Sequence, residues 1–261
     1  MLTVSTVNVN GLRAAARKGF RSWLAATPAD VVCLQEVRAT LDQLPDGVAD
    51  GWFTTYAPGA KGRAGVAVYS RVEPSAVRVG FGASEFEDSG RYVEVTLPGV
   101  VVGSVYVPSG DVGTERQDEK DRFMAAFLPY LTELGEKAAA GSMDVVVGGD
   151  WNIAHQDLDV KNWRGNRGQS GCLPPERAWL SAILDAGYVD VVRARFPSGP
   201  GPYTWWSYRG QAFDNDSGWR IDLQLATPDL ASRVSTVDIE RAASYGERWS
   251  DHAPVTIGYS T

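Results

Sequence analysis

The chain of 261 residues has only two cysteines, two histidines and three methionines. Cys33 stands in the apolar run DVVCLQE and Cys172 in a polar loop. Two such residues make neither a disulfide framework nor a zinc motif, so both are expected as free thiols. No apolar stretch approaches the ~18 residues of a membrane span. The opening MLTVSTVNVNGLR lacks the basic and apolar regions of a signal peptide. A cytoplasmic protein without membrane contact is therefore expected. Basic charge is also scarce: 25 Lys and Arg against 32 Asp and Glu give a net charge of −7. That argues against a nonspecific nucleic-acid coat, while leaving room for local basic patches and an acidic metal site. Repeats, low-complexity tracts and linker-like shifts of composition are missing too.

What is present is an ordinary globular composition, 44% hydrophobic and 22% charged, in a length that suits one large domain spanning 1–261. Strand patterns fall at 2–9, 30–36, 52–57, 64–70, 75–81, 91–97, 100–107, 144–149, 189–193, 219–226, 234–239 and 254–259. RYVEVTL alternates as a half-buried strand does, whereas VVGSVYV and MDVVVGG read as buried on both faces. Helical patterns cover 13–26, 115–139 and 175–186, with Pro129 expected to kink the second. The third opens on PPER and is followed by Gly187. A dozen strands exceed one comfortable open sheet. Two packed sheets with helices outside are predicted.

Polar residues gather where these strands end. Asn8 and Asn10 close LTVSTVNVN, Glu36 closes DVVCLQE, and Tyr106 closes VVGSVY. Asp150 and Asn152 follow DVVVGG, Asp222 lies in WRIDLQLA, and Asp251 and His252 precede APVTIGY. Apolar strands fix the backbone and leave terminal side chains at the rim, where sites are built. Side chains at i and i+2 of an extended segment point the same way, so Asp150 would share a site with Asn152 and Asn8 with Asn10. Carboxylates suit a hard divalent cation such as Mg²⁺. Amides bind phosphate oxygens without adding charge, and an imidazole beside a carboxylate can donate to a phosphate. The inventory points to metal-assisted phosphodiester hydrolysis.

NVNGLRAA, DVVCLQEVR, VYVPSG, GDWNIAHQDLD, WRIDLQLAT and SDHAP, in this order across nearly the whole chain, resemble the exonuclease III / AP endonuclease family. That family belongs to the endonuclease–exonuclease–phosphatase superfamily. The resemblance implies a four-layered α/β sandwich, with two packed, mostly antiparallel β-sheets flanked by helices. It implies Glu36 as the main ligand of Mg²⁺, with Mn²⁺ able to substitute, and Asn8, Asn10 and Asp251 near the metal. It implies Asp150 as the residue that orients or deprotonates the attacking water. Asn152 and Tyr106 would contact the phosphate, Tyr106 as proton donor or phenolate, and His252 would bond the scissile phosphate with Asp222 as its partner. Ser109 stands where many relatives carry Asn or Gln.

Two inserted stretches bear on the substrate. DVKNWRGNRGQSGCLPPER brings Lys161, Arg164 and Arg167 together with Asn162, Asn166 and Gln169. It resembles the family's DNA-binding loop, with Asn166 beside a flipped-out sugar. In YTWWSYRGQAFDNDSGWRI, Trp205, Trp219 and Ile221 match positions that wall a pocket for an abasic deoxyribose. Such a pocket rejects a normal nucleotide by bulk, and damaged sites cost less to extrude. Arg209 stands where the family places a residue that enters the DNA groove. Arg13, Arg17, Lys18, Arg21, Lys61 and Arg63 are further candidates for backbone phosphates.

Plainer readings stand beside these. Asp150 would serve as a turn residue, Glu36 as a rim charge, and the 13–21 basic run as a solvated helix face. His155 in NIAHQD reads as structural, and Trp23, Trp52 and Trp179 read as core. The resemblance implies a Mg²⁺-dependent DNA repair nuclease incising 5′ to abasic sites, and as further activities of the family 3′→5′ exonuclease and 3′-phosphatase or phosphodiesterase action. Its partner would be double-stranded DNA with abasic sites or 3′ blocks. The chain would act as a monomer, nucleoid-associated when on DNA. The rivals are a phosphodiesterase or phosphatase acting on small or lipid phosphates, and a non-catalytic DNA-damage binding module.

Overall fold

The computed structural model describes residues 1–141 and 143–260, and Lys61 by its backbone alone. Twelve strands run in chain order among the described residues: β1 (Leu2–Asn8), β2 (Val31–Gln35), β3 (Phe53–Ala57), β4 (Val66–Ser70), β5 (Ala76–Val79), β6 (Tyr92–Leu97), β7 (Val100–Tyr106), β8 (Asp144–Asp150), β9 (Val189–Asp190), β10 (Asp222–Ala226), β11 (Val234–Ile239) and β12 (Val255–Tyr259). They form two six-stranded sheets, ordered β11-β12-β1-β2-β4-β3 and β5-β6-β7-β8-β10-β9. Pairing is antiparallel except between β1 and β2 and between β7 and β8. The helices are α1 (Leu12–Lys18), α2 (Phe20–Ala26), α3 (Glu115–Ala140), α4 (Trp163–Asn166), α5 (Pro174–Asp185), α6 (Val191–Arg195) and α7 (Pro228–Ser232). None is long and apolar enough to cross a membrane.

The layers follow from the side-chain pattern. Val4, Cys33, Val68, Val95, Val102, Val146 and Ile257 pack between the sheets. The other face of the first sheet packs Val7, Val32 and Leu34 against Leu12, Phe20 and Leu24 of α1 and α2. The other face of the second packs Val105, Val147 and Leu223 against Phe123 and Phe127 of α3 and Leu180 of α5. This is the expected α/β sandwich: strands apolar on both faces must be covered twice.

A polar seam locks the sheets together below one end. Gln35 Nε2 donates to Thr6 Oγ1 (3.1 Å) and Ser104 Oγ (3.0 Å), and Gln224 Nε2 to the carbonyls of Val4 (2.8 Å) and Val255 (3.0 Å). The paired glycines of β8 serve close approach. A Cβ at Gly148 would meet Thr6 Cβ at 3.1 Å, and one at Gly149 would meet the Val105 carbonyl oxygen at 2.1 Å.

Several boundaries differ from the sequence reading. Residues 13–26 form two helices that meet at Gly19, where a Cβ would press on Trp249 Cδ1 at 3.3 Å. The strand expected over 189–193 stops at Asp190, whose side chain accepts from the Arg193 N–H (3.0 Å) and caps α6. The strand expected from 219 begins at Asp222, while Trp219 only bridges Val160 and Trp205. The helix α3 runs to Ala140, one residue past the expected end, with Pro129 inside it. Cys172 does lie in the loop before α5, but it is buried there beside Ala154 and Val160.

Candidate active site

Register brings the strand ends together. Across the second sheet, Tyr106 pairs with Asp150 and Asp150 with Asp222. Across the first, Asn8 pairs with Gln35, placing Glu36 beside it. The sheets join here through Asn8, whose Nδ2 donates to Glu36 Oε1 (2.9 Å) and to Asp150 Oδ2 (2.9 Å). Asn10 Nδ2 donates to Asp251 Oδ1 (2.8 Å), and Trp205 Nε1 donates to Asp251 Oδ2 (3.0 Å).

Asp150 is buried, and its Oδ1 accepts from the Asn152 N–H (3.0 Å). Burial pushes its pKa up to about 7; the His252 charge pulls it down, and Asp222 and Glu36 add to the rise. His252 Nδ1 lies 2.9 Å from Asp222 Oδ2, and its Nε2 faces Asp150 Oδ2 at 3.9 Å. Burial opposes the imidazolium, but Asp222, Asp150 and Asp251 outweigh it and raise the pKa to about 10. Asp222 is itself fixed by Thr204 Oγ1 (2.6 Å). The Tyr106 hydroxyl is held protonated by burial and by the Glu36 and Asp150 carboxylates, which makes it a donor.

Asn10, Glu36, Arg38 and Asn152 all adopt positive φ, between 46° and 52°, without being glycine. Such backbone is sparsely populated and gathers at functional sites. All four line one cavity of about 540 Å³, together with Tyr106, Ser109, Asp150, Asn166, Ser170, Trp205, Trp219, Ile221, Asp251 and His252. The indoles of Trp205 and Trp219 meet edge to face at 6.2 Å, forming with Ile221 an apolar wall beside the acidic floor.

Two features suit a cation. Asp150, Asp222 and His252 each present a ligand atom within 4.8 Å of the others, a spacing that fits a metal only when the His252 ring is neutral. Glu36 is buried, and the Arg38 guanidinium sits against its Oε2, a positive group where a cation would go.

Lys161, Arg164, Arg167 and Arg209 are exposed and lie outside the cavity lining, Arg164 and Arg167 stacking over Trp163. The exposed Arg13, Arg17, Lys18 and Arg21 also lie outside it, and the Lys61 side chain lies outside the described residues. His155 lies outside the cavity lining, its Nε2 2.8 Å from Ser181 Oγ. Sequence reasoning missed Arg38, Arg116 and Ser170 in the lining, and Thr204 behind Asp222. Arg38 stood two residues from Glu36 in the quoted DVVCLQEVR, a signal that could have been used.

A 3′ phosphatase, NExo from Neisseria, solved with a product DNA hairpin, superposes with a TM-score of 0.89 at 30% identity, covering 100% of both chains. An exodeoxyribonuclease of Bacillus subtilis is 38% identical over 254 residues, 96% of each chain. The DNA repair nuclease APEX1 of Danio rerio is 31% identical over 261 residues, 98% of this chain and 81% of that one. With its residues 5–252 matched by the family's model, the chain belongs to the endonuclease/exonuclease/phosphatase family.

Proposed function

We propose that the chain is a Mg²⁺-dependent DNA repair nuclease that cuts the phosphodiester 5′ to an abasic site, leaving a 3′-hydroxyl and a 5′-deoxyribose phosphate. The observation that carries this reading is the apolar wall of Trp205, Trp219 and Ile221 standing in the same cavity as Asp150 and His252. A small phosphate ester has no need of that wall; a deoxyribose without its base has an apolar face to bury against it. Relatives that act as exodeoxyribonuclease or 3′ phosphatase make trimming of 3′ ends a second use of the same site.

Glu36 would hold Mg²⁺ with Asn8, Asn10 and Asp251 nearby, and the ion would supply charge neutralisation at the phosphate. Asp150, anchored by Asn8 and by the Asn152 N–H, points its carboxylate into the cavity and takes the proton of an attacking water. A pKa raised to about 7 suits that task. His252, protonated and oriented by Asp222, donates from Nε2 to a phosphate oxygen. The Tyr106 hydroxyl and Asn152 amide add donors where charge builds up. Asn166 and Ser109 line the cavity as backbone contacts to DNA. Lys161, Arg164, Arg167 and Arg209 extend that contact beyond it.

The test is incubation with duplex DNA bearing one abasic-site analogue, in Mg²⁺ or in EDTA. Nicking in Mg²⁺ alone is expected. Hydrolysis of inositol or lipid phosphates without cutting the duplex, or tight binding without a nick, would refute the reading.

A further inference from the structure

Lys120 of α3 is completely buried. An ammonium withdrawn from water is costly unless its protons find acceptors. Here all three do. Nζ lies 2.9 Å from the Asn152 carbonyl, 3.2 Å from Ser170 Oγ and 2.8 Å from Glu176 Oε1. Glu176 is equally buried and accepts from the N–H groups of Gly171 (2.6 Å) and Leu173 (3.1 Å). Ser170 Oγ lies 2.9 Å from Glu176 Oε1 and 2.8 Å from the Ser109 carbonyl.

Three loops therefore meet at one ion pair: the β7–α3 loop at Ser109, the segment after β8 at Asn152, and the segment before α5 at Ser170. Asn152 is the point under strain, with φ at 51°. Its N–H goes to Asp150 Oδ1 (3.0 Å), its Nδ2 to the Val107 carbonyl (2.9 Å), and its own carbonyl to Lys120. Gly171 lies so near that a Cβ there would stand 3.0 Å from both the Asn152 oxygen and Trp219 Cζ3. A well-packed apolar pair would often stabilise the fold as well as a buried ion pair does. What it could not do is grip a strained carbonyl and two loops at once.

We propose that Lys120 and Glu176 are positioning residues of this active site: through the Asn152 carbonyl and the Ser170 hydroxyl they hold the catalytic amide, Ser109 and the Gly171–Trp219 wall in one arrangement. The proposal rests on the nuclease reading of the cavity. Neither residue touches substrate; both act through groups that do.

Incision kinetics on the abasic duplex in Mg²⁺, duplex binding in EDTA and thermal melts test it together. Lys120→Met should lower kcat about 10- to 100-fold, the usual effect of removing a group that supports a catalytic one. KM and duplex affinity should change several-fold less than kcat, because the Asn152 amide acts in the transition state while Ser109 and the wall also contact bound DNA. Lys120→Met/Glu176→Gln leaves no lone buried charge, so its melting temperature should return toward that of the unmutated chain while kcat stays low. Unchanged kcat in the single variant, or recovery of kcat along with stability in the double one, overturns the proposal. Should Lys120→Met not fold, Ser170→Ala removes only the shared hydroxyl. A fall of about tenfold in kcat with the melting temperature lowered by no more than about 2–4 °C supports positioning, and an unchanged kcat overturns it. An unmutated chain that binds the duplex but never nicks it would instead remove the nuclease reading and this proposal with it.

Discussion

His252 shows how much of the site is electrostatic. Its Nδ1 is taken by Asp222, leaving Nε2 for the cavity. Burial works against the charged ring, and three carboxylates more than offset it, giving a folded pKa near 10. A pKa raised above the ordinary ~6.5 means that protonation favours the fold. The contribution is complete below about pH 6.5 and disappears as pH rises through about 10. Asp222→Asn removes the partner in direct contact with the ring. Melts in EDTA should show the variant's deficit in Tm widest near the acid end of that window and narrowing toward pH 10. A deficit independent of pH would mean that Asp222 supports the fold without charging His252.

At the level of the elements, the approach to β10 carries two jobs on one extended segment. Trp219 and Ile221 face the cavity, while Arg220 between them points into the protein. Its Nε lies 2.7 Å from Asp159 and its Nη2 2.8 Å from Asp190, and Arg193 of α6 joins the same Asp159. The Arg220 N–H also donates to the Asp159 carbonyl (2.7 Å). This buried network ties α6 and the 157–160 turn to the wall of the pocket. Arg220→Met leaves the buried Asp190 without its ion-pair partner and Asp159 with Arg193 alone, and urea unfolding should show a loss of about 3–5 kcal/mol; a loss under about 1 kcal/mol would show that the network is dispensable. The elements were readable in proportion to their local patterning. RYVEVTL and VVVGSVY announce strands by alternation and by continuous apolar runs. YVDVV reads as a strand for the same reason, but the Asp190 cap turns it into α6, and a cap is visible only once the backbone is placed. The site divides along the same line. Glu36, Asp150 and Asp222 were legible because each carboxylate interrupts or ends an apolar strand. Lys120 was not, because in RQDEKDRF it looks like any solvated helix charge; its partner Glu176 belongs to a different helix.

On the scale of the whole molecule, a chain with net charge −7 must approach a polyanion. Uniform charge would repel DNA, so attraction has to be local. A second cavity, of about 780 Å³, shares Glu36, Arg38, Tyr106, Ser109 and Arg116 with the first and adds Arg63 and Arg91. Four guanidinium groups thus line a continuous track that leads to Asp150 and His252. The Glu36 and Glu119 carboxylates pair with Arg38 and Arg91 within it, so part of this charge is neutralised before DNA arrives. Arg63 and Arg116 remain exposed for phosphate. Phosphate neutralisation releases counterions, so log affinity should fall linearly with log salt, each contact contributing a slope of about −0.9. Arg63→Ala and Arg116→Ala should each flatten the slope by about one contact and weaken binding alike for abasic and intact duplex. Arg17→Ala, on the exposed face of α1 and outside both cavities, should leave the slope as it is. Anisotropy titrations in EDTA across a salt series decide the matter. If Arg17 changes the slope and Arg63 does not, the DNA runs over α1 and the arginine track is not its path.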